Sequence, residues 1–584
     1  MTEADRPLDR TRSYKPLDVG NGIVAGTVSG TGRLLSVGIT HPAHGRVVLT
    51  DAPPFPEEQR ADPAAVRAYR AALAAPSRDG AGFSFTSGAT EACLRDDRLP
   101  VVRGMAGAAS WELVTFAPAG RSGIVQLARG TGPPPAGDWT GALRLGRAAY
   151  TQLTEGGPLA VAPTAPELTR EGDLVTIHDP VLGAAAAWVV RPPVAMDSGW
   201  IAVAAATLAT DVAAAAAEAL MLADTAAALL AAEKAHGGLA DRSWPVRRAI
   251  HYALDCVTTR VSADTVAILA DHELLPLVWT RDAYFVCLML DALPRSDPGR
   301  DVVPAFVRWL YTVAERPGGW WPRASLASGQ AKDRAFQLDQ QLYPILLAER
   351  TGLYPAEARA VLEKLLARRT AFGLISTDET PADDRLAQPY LFSSHVLLWH
   401  TLVTIGHPEA DAVQTATLRA FSANGAFAYA VNGPRGAGAR EYHDANDLPT
   451  ALAPAWGFCA ADDPRWRRTI ERAWSPANAG FFPGPLGGLG SLHTPHPWPL
   501  GDLQARIVAA VTGDAEGVAA ADARLDRIQT WDGLLPEAYD EATGAVASRH
   551  WFAWPAALRT IEPALAVGPL YDGTSDTGAR ATPG

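Results

Sequence analysis

A chain of 584 residues exceeds what one compact core holds and is expected to divide into two or three domains. Its 48% hydrophobic and 20% charged residues are those of a globular protein. A net charge of −12 argues against a nucleic-acid or anionic-membrane surface.

The N-terminus, MTEADRPLDRTRSYKPLD, is polar and lacks the apolar run of a signal peptide. Residues 15 to about 200 carry short β-branched runs such as GIVAGTVS, RLLSVGIT, WELVTFAPA and AAAAWVVRP, bounded by Gly, Pro or Asp. That pattern predicts antiparallel sheets packed face to face, interrupted by one helix-like insertion, PAAVRAYRAALAA. Alanine density then rises, and the stretch to Gly237 reads as a helical connector rather than a core element. Asp211, Glu218, Asp224 and Glu233 interrupt it, so it does not read as a membrane span. Cys93, Cys256, Cys287 and Cys459 are scattered with no CxxC pair and read as buried free thiols. A soluble, cytoplasmic protein is expected.

After about 245 the period becomes helical. Val246, Ile250, Leu254, Val257 and Val261 mark one face of the first of twelve helices that run to 562. The connections alternate: 265–280, 316–335, 371–392, 423–446, 474–498 and 530–550 are long, and those between are short. In antiparallel hairpins alternate connections share one end, so all six long loops belong at one rim. The expected architecture is multidomain: a β-sandwich (1–200), a helical linker (201–240), an all-α (α/α)6 toroid (241–565) and a tail (566–584).

The rim carries the candidate chemistry. Arg281 and Asp282 open a helix beside Trp279, where an aspartate either caps the helix or grips sugar hydroxyls. Asp339 enters the next inner helix between Leu338 and Leu342, where desolvation raises a carboxyl pKa toward that of a general acid. Trp321 and Trp498 lie in Gly/Pro-rich loops, where an indole suits stacking on a sugar face. Four acids with Arg385, Tyr390 and His395 crowd the third loop, and Glu441, Asp444, Asn446 and Asp447 the fourth. His493 and His496 share a Pro-broken loop without a nearby third ligand, so no metal is expected. No glycine pattern suits a phosphate loop, and no cofactor is expected. In the sixth loop Asp532, Asp540 and Glu541 read as turn acids. Glu537, after Leu534-Leu535-Pro536 and beside Tyr539, reads as a catalytic carboxylate or a structural partner of Arg549.

Together these motifs resemble the inverting (α/α)6 glycosidases, and most of all glycoside hydrolase family 125, the exo-acting, metal-independent α-mannosidases. The resemblance rests on Trp279-Thr280-Arg281-Asp282, Gln337-Leu338-Asp339 through Tyr343-Pro344, Gly490-Ser491-Leu492-His493-Thr494-Pro495, and Pro536-Glu537 followed by Arg549-His550-Trp551-Phe552-Ala553-Trp554. It implies Asp339 as general acid and Glu537 as general base, with Trp279, Arg281, Asp282, His493 and Trp551 shaping the terminal-sugar subsite. Trp321, Gln340, His395, Asp444, Trp498 and Arg549 complete the expected binding set. Family 15, the glucoamylase-like enzymes, is similar at WTRD and LLPE and places a β-sandwich before its toroid, but its acid is a glutamate. Pro536 stands where family 125 has histidine and Ala283 where it has serine, two departures from that family's pattern.

The expected reaction is hydrolysis of a non-reducing terminal α-linked sugar with inversion, on an oligosaccharide or glycoside substrate. An α-glucosidase is the near alternative. A phosphorylase, with phosphate held by Arg549 and His550, and a carbohydrate-binding protein without catalysis stay open.

Overall fold

The structure, a computed structural model, describes residues 5–565 except 54–61, 84–89, 107–108, 133–136, 139–142, 149–152, 155–156, 159–165, 235, 237–238 and 240. Among the described residues the N-terminal region holds two large antiparallel sheets and two two-stranded ones, Gly82–Phe83 with Gly137–Asp138 and Leu153–Thr154 with Gly157–Pro158. A five-stranded sheet orders Arg144–Arg147, Gly45–Thr50, Leu34–His41, Val24–Val28 and Leu17–Gly20. A nine-stranded sheet runs Arg6–Pro7, Thr90–Arg95, Leu99–Ala106, Ala109–Phe116, Gly123–Gly130, Gly199–Ala209, Ala184–Met196, Leu174–Asp179 and Glu167–Glu171. Strand alternation gives the nine-stranded sheet two apolar faces. Leu94, Leu113, Ile124 and Trp188 meet Val19, Val37 and Leu49 of the five-stranded sheet in one buried cluster.

The opposite face, with Val101, Val125 and Ala205, packs on a helix. Among the described residues two helices belong to this region, α1 (Pro63–Ala74) and α2 (Val212–Ala232). Asp62 and Asp211 cap them by accepting the backbone N–H of Ala64 and of Ala214. The alanines of α2 have a purpose that composition alone hid. Ala215, Ala219, Ala223 and Ala226 let it lie close against the alanine-rich strands, so α2 is a core element of the sheet region. The expected linker at 201–240 therefore differs from the structure: residues 201–209 are sheet, and α2 covers it. By length and composition α2 could cross a membrane, and here its small-residue face is buried against protein.

Twelve helices follow, α3 (Trp244–Tyr252), α4 (Thr280–Asp291), α5 (Val302–Thr312), α6 (Leu338–Thr351), α7 (Pro355–Leu366), α8 (Phe392–Thr404), α9 (Ala410–Phe421), α10 (Leu448–Leu452), α11 (Pro464–Ala473), α12 (Pro499–Val511), α13 (Ala515–Arg527) and α14 (Ala553–Leu565). Their starts match the periodic reading within a few residues. Two ends do not: α3 passes into a π turn, Ala253–Val257, and then a strand, and α10 stops after five residues. The even-numbered helices touch in a closed cycle, α4 to α6, α8, α10, α12, α14 and back to α4. The odd helices pack outside it, α3 on α14, α5 on α4 and α6, α7 on α6, α9 on α8 and α13 on α12. The long connections carry short hairpins, including Phe481–Phe482 with Gly488–Leu489 and Ala538–Tyr539 with Val546–Ser548.

A buried charge cluster joins the two regions. Asp18 accepts from Lys15, Arg248 and the indole N–H of Trp551, and Asp532 pairs with Lys15 at 2.7 Å and Arg248 at 3.1 Å. Asp532, expected to be a turn acid, is 1% exposed and serves this junction.

Candidate active site

The start of α4 is fixed by a defect in α6. Pro344 has no N–H to donate to the carbonyl of Gln340 four residues back. The Thr280 hydroxyl fills that vacancy, donating to the Gln340 carbonyl at 2.7 Å. The Gln340 side chain in turn accepts the Arg281 backbone N–H at 3.0 Å, one of the donors a helix start leaves unpaired. Gln340, expected to touch sugar, is fully buried and seats Arg281 instead.

Arg281 is the hub of an acidic network. Its guanidinium lies 3.0 Å from Asp339, 3.6 Å from Asp282 and 3.7 Å from Asp383. Burial pushes the Asp282 carboxyl up to about 6 against the pull of Arg281 and Arg549, and one of its oxygens has no hydrogen-bond partner. Burial also raises Asp339, outweighing Arg281. Glu537 sits across the cavity in the sixth loop. Its side chain accepts from Ser548 Oγ at 2.8 Å and lies 3.7 Å from Arg549, which is anchored at 3.0 Å to Asp271. Arg549 stacks its guanidinium on Phe552, 4.1 Å from the ring centre, and adopts a positive φ of 46°.

These groups border a small cavity of about 60 Å³. Of the residues expected from the sequence, Trp279, Arg281, Asp282, His493, Trp498, Glu537 and Arg549 line it. Its remaining walls include Asp383, Asn446, Phe552 and Trp554. Asp383 accepts from Trp279 Nε1 at 3.0 Å and Gln337 Nε2 at 2.7 Å, with φ at 66°. A non-glycine residue held there is strained in a way that clusters at functional sites. His493 pairs with Asp384 at 3.0 Å.

Six expected residues fall elsewhere. Asp339, 2% exposed and 3.0 Å from Arg281, is not among the lining residues and keeps one oxygen without a hydrogen-bond partner. Gln340 has the seating role above. Trp321 is buried, donating its indole N–H to the Leu310 carbonyl. His395 is a core histidine bridging Leu391 O and the Ile375 N–H, and burial lowers it to about 4. Asp444 is spent on Tyr442 and Asn446. Trp551 points away, to Asp18. The residues missed had signals in the sequence: Asp383 stood in the acid-rich third loop, and Trp554 three residues beyond Trp551.

Two groups have metal-ligand character among the described residues, His236 with His251 and Asp255, and His496 with Asp540 and Glu541. Neither borders the cavity, and His493 is not part of either. A wider groove on the nine-stranded sheet, with Arg103, Trp111, Glu112 and Trp200, pairs its charges internally, Arg103 to Glu112 at 3.0 Å.

Residues 371–559 match the family model of the metal-independent α-mannosidases, glycoside hydrolase family 125. The match spans the C-terminal part of the helical region. No curated protein matches the chain by sequence. Among solved structures, a bacterial glucoamylase complexed with acarbose is 13% identical, covers 97% of this chain and 95% of its own, and superposes with a TM-score of 0.56. A metal-independent α-mannosidase of Streptococcus pneumoniae, in a non-productive complex with α-1,6-mannobiose, is 17% identical over 55% of this chain and 92% of its own, TM-score 0.44. A family 63 mannosylglycerate hydrolase of Thermus thermophilus is 14% identical over 54% and 98%, TM-score 0.39. The first likeness is one of fold, along nearly the whole chain, and the family-model match lies in its C-terminal part.

Proposed function

We propose that the protein is an exo-acting, inverting glycoside hydrolase that removes a non-reducing terminal α-linked sugar, with α-mannosides favoured and α-glucosides as the alternative. In this reading the closed cycle of inner helices is an (α/α)6 toroid, preceded by a β-sandwich that ends with α2. One observation carries the proposal: Glu537 and Asp383 face a single cavity walled by Trp279, Trp498, Phe552 and Trp554. Both carboxylates also fall within the residues that the family 125 model matches.

Glu537 acts as the general base. Ser548 holds one of its oxygens, and the other is available to take a proton from a water beneath the ring. Asp383 acts as the general acid in preference to Asp339, because a proton donor must first reach the glycosidic oxygen and only then have a suitable pKa. Asp339 instead keeps Arg281 in place. Asp282, protonated up to about pH 6 by its burial, offers an unsatisfied oxygen to a sugar hydroxyl. The mechanism requires the two working carboxyls to stand roughly 6.5–9.5 Å apart, leaving room for the attacking water. Arg549 is already committed to Asp271 and Glu537, which favours water over phosphate as acceptor.

NMR of the anomer first released from a panel of α-mannosides and α-glucosides tests the reading. A β-anomer formed without added phosphate is the expected result. Retention of configuration, or turnover only with phosphate, refutes it.

A further inference from the structure

Helix α1 interrupts the strand pattern of the N-terminal region, yet its apolar face points to the other half of the chain. Leu73 and Ala74 are buried in the same cluster as the residues of α4, α6 and α14, and Tyr69 packs on its edge. The segment that follows is tied to the first rim loop, where Arg78 bridges Asp51 and Glu273 (3.2 Å to Glu273) and Ser36 donates to Glu273 at 2.7 Å. Arg70 precedes Leu73 and Ala74 by three and four residues and so shares their helix face. Among the described residues it is the one lining the cavity from outside 275–554.

Exposure locates Arg70 within the cavity. The inner wall is closed, with Trp554, Trp498, Arg281 and Asp282 all at 5% or less. The accessible lining residues are Arg70, Asp383 and His493, so they mark the mouth. In a pocket closed at its inner end the terminal sugar goes in first and the leaving group lies at the mouth.

On the glycosidase reading above, we propose that α1 forms part of the leaving-group subsite and that Arg70 donates hydrogen bonds to oxygen atoms of the leaving group, favouring a second sugar over a small aglycone. A guanidinium presents five donors in a rigid fork, which suits the adjacent hydroxyls of a sugar. The N-terminal region thereby selects the substrate while the helical region hydrolyses it.

The test compares an α-linked disaccharide with the α-glycosyl fluoride of the same sugar, whose leaving group has no oxygen to hold. Arg70→Ala is expected to raise KM for the disaccharide about tenfold, the loss typical of a charged hydrogen bond, and to leave the fluoride unchanged. Arg67→Ala, on the exposed face of α1, is expected to change neither. If Arg70→Ala is insoluble, Arg70→Met keeps the aliphatic stem and is expected to give the same split. Equal losses on both substrates, no loss on either, or the same loss in Arg67→Ala overturns the assignment. A wild-type protein that turns over neither substrate overturns the glycosidase reading itself, and Arg70's role with it.

Discussion

Glu537→Gln isolates the general base with little structural disturbance. The amide is nearly isosteric, and its oxygen can still accept from Ser548, as Glu537 does at 2.8 Å. Arg549 loses a partner 3.7 Å away but keeps Asp271 at 3.0 Å, so no buried cation is stranded. What disappears is the capacity to accept the proton of the attacking water. General acid–base groups contribute about 10²–10⁴-fold, so kcat should fall by that factor, equivalent to about 3–5 kcal/mol of barrier. KM should stay within about twofold, because Glu537 touches the water and not the bound sugar. The assay is steady-state hydrolysis of an aryl α-glycoside on which wild type is active, with a thermal melt as the folding control. A Glu537→Gln protein that melts like wild type and keeps its kcat refutes the base assignment.

Asp383→Asn should lose about 10²–10⁴-fold on a substrate with a poor leaving group and far less on a glycosyl fluoride, which needs no protonation. Asp339→Asn should instead lower the melting temperature through Arg281, and the reverse pattern across the two variants would return the acid role to Asp339. Asp282 is raised in the folded state to about 6, so the folded protein holds a proton that the unfolded chain releases near 3.8. The stability this adds is present below about pH 3.8 and is lost as pH rises through about 6, at most about 3 kcal/mol. Denaturant unfolding from pH 4 to 7 should show a shallower decline in Asp282→Asn than in wild type, and parallel curves would contradict the shift. Trp551→Phe removes a donor to buried Asp18 and should cost about 1–3 kcal/mol in unfolding experiments with kcat/KM unchanged. Trp554→Ala, in the cavity wall, should depress kcat/KM, and equal activity losses in both would show that the two indoles are not separated as described.

The helical half was legible because amphipathic spacing is a local property. Side-chain direction was not. Trp551 and Trp554 stand three residues apart in a shared motif, and what turns Trp551 away from the cavity is Asp18, 533 residues away in sequence. The apolar neighbours of Asp339 correctly signalled desolvation, but a carboxyl is equally desolvated beside a buried arginine and at a pocket wall. Trp321 looked like a stacking platform because its loop is rich in glycine and proline. It is a buried plug whose N–H reaches a carbonyl of α5. The alanines of α2 suggested a connector, since small side chains carry no periodic signal until the sheet they press against is known.

Pro344 gives the cavity a dependency that runs through an imperfection. An unbroken α6 would spend the Gln340 carbonyl on its own ladder and leave Thr280 only the Gln340 side-chain oxygen, so the better helix would make the poorer mount for Arg281. Selection for rigidity within a single segment and for alignment between neighbouring segments therefore pull in opposite directions here. The missing amide acts as a coupling joint between two inner-ring helices.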